Sequence, residues 1–210
     1  MGSPDVAPSE AHRDQAQRTL LIVGQNPGNN EDREDQPFSP SGDSGRIVRE
    51  AILPFFDSSI DVYLTNTARC YTPPDFTIKD KCYATCTRTY LLPDLLALSE
   101  ASDHLFVLAL GAPAARHIAA LLSVGQVRGS KKLTLNDLKK TQGREFPLPN
   151  GKLIQLYVTN HPAAALRNPN TLKTISVHLS QILRHMSGIR IPRTNPTIVS
   201  PFHPTGGTDR

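Results

Sequence analysis

Short, nearly unbroken apolar runs alternate along the chain with stretches whose apolar residues recur every three to four positions. The runs are Thr19–Gly24 (TLLIVG), Ile60–Asn66, His104–Gly111 and Lys152–Asn160. Continuous rather than alternating apolarity predicts strands covered on both faces, as in a parallel sheet. Between the runs, a helix is expected from Ser44 toward Leu53, ended by Pro54, and a second from about Ile78 to Ser99, interrupted near Pro93. A small-residue helix follows over Ala112–Leu122, and Thr171–Met186 places Leu172, Ile175, Leu179, Ile182 and Leu183 on one face. The stretch Gly125–Gly151 reads as irregular and basic. Strand and helix in alternation predict an α/β fold, a three-layer α/β/α sandwich around a four-stranded, mainly parallel sheet.

Composition narrows this to one domain. The 210 residues suffice for a single sizeable core, and much of the shortfall in apolar residues lies at the two ends. Residues 1–17 and 190–210 mix Pro, Ser and charge with no apolar period, so both are expected to be flexible tails around a domain at residues 18–189. No basic-then-apolar leader and no long apolar run is visible, which predicts an intracellular, cytoplasmic protein without a membrane partner. A net charge of +4 permits a polyanionic partner without requiring one. Three cysteines, Cys70, Cys82 and Cys86, argue against a disulfide framework and leave free thiols or weak metal-ligand candidates.

Ligands of open parallel sheets bind beyond the carboxyl ends of the strands. Three polar segments leave strands here: GQNPGNNED after the first, Thr65-Asn66 after the second and Asn160-His161-Pro162 after the fourth. They are expected to converge, although each alone is also ordinary turn chemistry.

Taken together, LIVGQNPGNNEDREDQPF (21–38), VYLTNTARC (62–70) and VTNHPAAALRNP (158–169) resemble the uracil-DNA glycosylase superfamily, most closely its iron-sulfur-type branch, family 4. That branch carries a Gly-Glu-Ala-Pro-Gly segment, an Asn-containing strand end leading to a cysteine, and a His-Pro-Ser-Ala-Leu segment. The resemblance implies a monomeric DNA glycosylase that flips a base out of DNA and hydrolyses its N-glycosidic bond.

It also implies roles. Asn26 falls where related enzymes keep a water-positioning Asp or Asn, and an amide orients water without acting as a strong base. His161 matches the histidine that hydrogen-bonds the pyrimidine O2 as negative charge builds there, its alternative being a solvated His-Pro turn. Phe38 matches a stacking ring or a core phenylalanine, and Asn66 a base-reading amide or a strand-end cap. Backbone amides of Gly24 and Gln25 are expected to complete the base site, with Glu31 and Asp32 fixing the loop.

Toward DNA, Ala165 stands at the family's wedge leucine, leaving Leu166 or Arg167 to enter the base stack. Arg128, Lys131, Lys132, Lys139, Lys140 and Arg144 form either a phosphate-binding run or a solvated face. Departures from the family pattern bear on the substrate. Ser39–Asp43 is two residues longer, and together with the small Ala163–Ala165 segment leaves room for a larger base. The expected reaction is excision of uracil or a related altered pyrimidine. The alternatives are excision of a bulky hypermodified phage pyrimidine as a host defence, or an inactive DNA-binding module.

Cys70 and Cys86 stand where family 4 places two cluster ligands, but the other two have no counterpart, His12 being only a distant candidate. A cubane cluster takes four thiolates. No cofactor is therefore expected, with Cys70 and Cys86 packed as small hydrophobes.

Overall fold

The computed structural model describes residues 18–73, 75–122, 135–140 and 142–187, with the backbone alone at 137 and 138. Both expected tails, together with Arg128, Lys131 and Lys132, lie outside the described residues.

Five strands form one sheet in the order β2-β1-β3-β5-β4. The four apolar runs are β1 (Arg18–Gly24), β2 (Asp61–Asn66), β3 (His104–Leu110) and β5 (Leu153–Thr159), all mutually parallel. The expected four strands are thus corrected to five by β4 (Arg144–Pro147), an antiparallel edge strand on β5. It was missed because only one of its four residues is even half-buried, so it carries no apolar signal. A closing proline suits it to an edge. A turn joins it to β5, with Leu148 N–H donating to Lys152 O at 2.8 Å.

The buried apolar residues of the four parallel strands divide between two cores. Leu21 and Val23 of β1 join Leu95, Ala115 and Ile118 on one side of the sheet, while Leu20 and Ile22 join Val48, Ile52, Ile175 and Leu179 on the other. This two-sided burial is why the strands read as continuous apolar runs.

The first helical layer combines α1 (Asn29–Glu34), α2 (Asp43–Ile47) and α8 (Asn170–Met186). α2 runs on through a wide π turn at Val48–Ile52 into a 3-10 turn at Leu53–Phe55. Pro54 sits within that last turn, near its start, where its missing N–H leaves no bond unmade.

On the opposite face lie α3 (Asp80–Cys86), α4 (Leu92–Ala101) and α5 (Ala112–Leu122). The expected interruption near Pro93 is a π turn at Thr87–Leu91 just before it. The stretch expected to be irregular holds, besides β4, a one-turn helix α6 (Leu135–Lys139) that packs Leu135 against the α5 side of the core. A single turn is too short to show a period.

The chain passes from β1 outward to β2, then crosses back over β1 to β3. The direction of winding reverses at β1, so the loops leaving β1 and β3 diverge and open a crevice at their carboxyl ends.

Candidate functional site

In the parallel register Gly24 pairs with Asn66, so both segments leave the sheet at the same level. The two exits are laced together. Thr67 N–H donates to Gly24 O at 3.0 Å, its hydroxyl donates to Gln25 O at 2.7 Å, and Ala68 N–H donates to Gln25 O at 2.9 Å. Backbone and Thr67 thus fix where Gln25 and Asn26 begin, a contribution that the polar motif itself did not reveal.

Gly24 is the floor of a small cup. A Cβ on it would lie 2.3 Å from Asn66 Oδ1 and 2.7 Å from Phe38 Cζ. The amide and the ring tip therefore both close on the bare backbone of this glycine. Phe38 is 2% exposed and holds a left-handed backbone, φ 51°. Such a conformation persists in a bulky residue only when its surroundings impose it.

They do. Phe38 N–H donates to Glu31 Oε1, whose other oxygen accepts from Gly28 N–H at 2.6 Å, and Phe38 O accepts from Arg49 Nε at 3.0 Å. Glu31 thus staples the turn at Gly28 to the phenylalanine. The loop after Phe38 folds back onto α1, where Ser39 and Ser41 donate to Glu34 and hold its carboxyl below the usual range.

His161 follows β5 by two residues. Gly111, at the end of β3, has φ +87°, and a Cβ there would come within 3.0 Å of His161 Cβ, so a glycine is needed for both reasons. Gly111 N–H also donates to Thr159 O at 2.9 Å. Burial pushes the His161 imidazole below its ordinary pKa, favouring the neutral ring. Its Nδ1 accepts the Ala163 N–H at 3.2 Å. A backbone amide can only donate, so the single proton of the neutral ring resides on Nε2.

Two partners of this strand end were invisible in the sequence. Lys139 Nζ donates to Asn160 Oδ1 at 2.6 Å, and His178 Nδ1 bonds the hydroxyl of buried Thr159 at 2.9 Å. Burial, then the charge of Lys139, pushes His178 down to about 4 from an ordinary value of 6.5. Between those values the folded protein binds fewer protons than the unfolded chain, so stability falls as pH drops through the window and levels off below it. The full shift, discounted for partial exposure, leaves about 1–2 kcal/mol. Urea midpoints at pH 7.5 and 4.5 are expected to show His178→Gln losing less stability than wild type by that amount; equal losses would remove His178 as the cause.

Asn26 donates from Nδ2 to Pro27 O at 3.1 Å, and Gln25 Nε2 donates to Tyr83 OH at 2.8 Å. Both residues line a depression of about 330 Å³ that none of Gly24, Phe38, Asn66 or His161 reaches. The predicted residues are therefore arranged as a cup of Gly24, Phe38 and Asn66, a depression bordered by Gln25 and Asn26, and His161 seated on Gly111.

The segment after Pro162 is a five-residue helix, α7 (Ala163–Arg167). Ala165 faces inward, 7% exposed, whereas Leu166 is 52% exposed and Arg167 is exposed beside it. Cys70 and Cys82 are exposed and Cys86 half-buried, so Cys70 does not pack as a small hydrophobe. No three His, Cys, Asp or Glu side chains among the described residues are grouped to hold a metal. The three thiols of the whole chain are one short of a cubane's four, so the donor set does not fit such a cluster. Among the described residues no helix is long and apolar enough to cross a membrane.

The α/β sheet thus carries at the carboxyl ends of its strands a buried ring and amide on Gly24 and a histidine whose buried ring favours the neutral form. Residues 12–186 match the Uracil DNA glycosylase superfamily, and the chain belongs to it as a DNA N-glycosylase. It is 30% identical over 152 residues to a type-4 uracil-DNA glycosylase of Pyrobaculum aerophilum, covering 71% of this chain and 69% of the relative. Similar proteins of the same description occur in Sulfurisphaera tokodaii, 26% identical over 165 residues (78% and 68% covered), and Saccharolobus solfataricus, 27% over 186 residues (84% and 75%).

Proposed function

We propose that this enzyme hydrolyses the N-glycosidic bond of uracil, or of a closely related altered pyrimidine, in DNA and leaves an abasic site. The observation that carries the reading is the cup in which Phe38 and Asn66 close on the bare backbone of Gly24. Because position 24 has no side chain, the amide and the ring can both come up against the same stretch of backbone. The Asn66 amide offers a donor and an acceptor side by side, the complement of uracil's O4 and N3–H. Phe38 supplies the apolar face against which a flipped base rests.

Bond cleavage leaves positive charge on the sugar and negative charge on the departing base. His161 meets the second. Its Nε2–H is the donor left free by the Ala163 contact, and a neutral imidazole stabilises the O2 anion without having to surrender its proton. Asn26 holds the attacking water by hydrogen bonds, contributing position rather than basicity. No step requires a metal or cofactor. Leu166, exposed on α7 just past His161, is the side chain placed to enter the stack when the base leaves it, and Ala165 is turned away. Phosphate contacts come from Arg167 and the basic run that includes Lys131 and Lys132. The protein acts as a cytoplasmic monomer, the domain at 18–189 being sufficient for the chemistry.

The test is release of free base from oligonucleotides carrying uracil, other altered pyrimidines or bulky hypermodified pyrimidines. Uracil release with alkali-labile abasic product is expected. Release of bulky bases alone would replace the substrate, and DNA binding without release from any of them would leave an inactive module.

A further inference from the structure

The depression beside Asn26 has no role in the reaction just described. Its wall is a stacked pair, Tyr83 against His117, with ring centroids 4.1 Å apart and planes 15° from parallel. Tyr83 is pinned by Gln25, which ties this wall to the loop leaving β1. Arg116, half-exposed on α5, opens onto it, and its guanidinium makes no ion pair or hydrogen bond among the described residues. At the rim stands Phe76, 71% exposed, the most exposed large apolar side chain among the described residues. Asp80 also lines the space, so an anion must sit on the Arg116 side.

These parts have a common use. An exposed ring, an uncommitted guanidinium and hydroxyl-bearing walls are the combination that holds single-stranded nucleic acid, the ring by stacking and the cation by charge. A space of about 330 Å³ takes one nucleotide and excludes a duplex or a helix. Its boundary is shared with Asn26, so whatever enters it is next to the reaction site.

We propose that this depression is a second nucleotide site, in which Phe76 stacks on a base neighbouring the flipped one and Arg116 neutralises a phosphate of the same strand. The proposal rests on the reading of Asn26 as part of the reaction site. It makes the enzyme's grip on DNA extend along the strand over α3 and α5.

The experiment is fluorescence anisotropy with a single-stranded oligonucleotide carrying a tetrahydrofuran abasic analogue, which cannot be cleaved, over a salt series. Phe76→Ala is expected to bind about tenfold more weakly at every salt concentration, with Phe76→Trp restoring affinity. Arg116→Ala is expected to lower the slope of log affinity against log salt by about 0.7, the value for one single-strand phosphate contact. Both side chains are outside the core, and matching thermal melts exclude misfolding. Wild-type affinity and slope in both variants would overturn the second site.

Base release separates this from the reaction itself. Phe76→Ala is expected to raise KM and leave kcat within about twofold. If the wild type releases no base yet binding depends on Phe76, the reaction assignment falls and the nucleotide site stands. If Phe76→Ala and Arg116→Ala keep wild-type KM while excision proceeds, the site falls and the reaction stands.

Discussion

His161→Ala is expected to slow single-turnover base release by about 10²–10³-fold, the usual consequence of removing one donor from a developing anion. DNA affinity should hold within a few-fold, because the donor acts on charge that is absent from the ground state. The pH profile supplies a second readout. Burial depresses the imidazole pKa, so the neutral ring persists below the ordinary value of 6.5. Release should stay level as pH is lowered to 6.5 and fall only beyond it, as the ring takes a second proton at Nδ1 and breaks its bond from Ala163. An unchanged rate in the variant would return His161 to the role of a simple His-Pro turn.

Gly24→Ala is expected to abolish most activity through a single methyl group. That methyl would lie 2.3 Å from Asn66 Oδ1 and 2.7 Å from Phe38 Cζ, distances at which neither neighbour can stay in place. Phe38 is fixed by Glu31 and Arg49, and Asn66 is 7% exposed at the end of a paired strand, so neither yields cheaply. Displacement of reacting groups by about 1 Å lowers rate by about 10²-fold, and overpacking at a rigid site costs about 1–3 kcal/mol of stability. Base release and a urea melt should therefore fall together. A stability loss with wild-type release would mean that the base binds elsewhere.

The two predictions differ in what made them possible. His161 could be singled out because GQNPG, VYLTN and NHP in that order resemble one family's motifs, while their position after strands of a parallel sheet led them to be expected at one edge. Its protonation state could not. The acceptor role of Nδ1 depends on Ala163 lying 3.2 Å away, and the neutral ring depends on burial. Likewise the sequence named Gly24, Phe38 and Asn66 from a resemblance, whereas their closure into one cup depends on the register that pairs Gly24 with Asn66 and on the left-handed turn at Phe38.

Other elements fall outside local reading for identifiable reasons. β4 is exposed on nearly every residue and exists because β5 has an open edge to pair with. α6 is one turn long and is held by α5 and β5 rather than by its own period. Tyr83 reads as one aromatic among several until the fold sets its hydroxyl against Gln25 and its ring against His117. Lys139 reads as part of a charged run until the fold brings it to Asn160.

By itself, then, the sequence determined the class of fold, the four parallel strands, the family and the residue types that follow those strands. These depend on short-range periodicity and on motifs a few residues long. Tertiary structure alone decided the fifth strand, the inward turn of Ala165 that leaves Leu166 outside, the proton's place on His161, and the depression between α3 and α5. Each of those depends on contacts between residues distant in the chain or on burial, and neither is encoded in any local window.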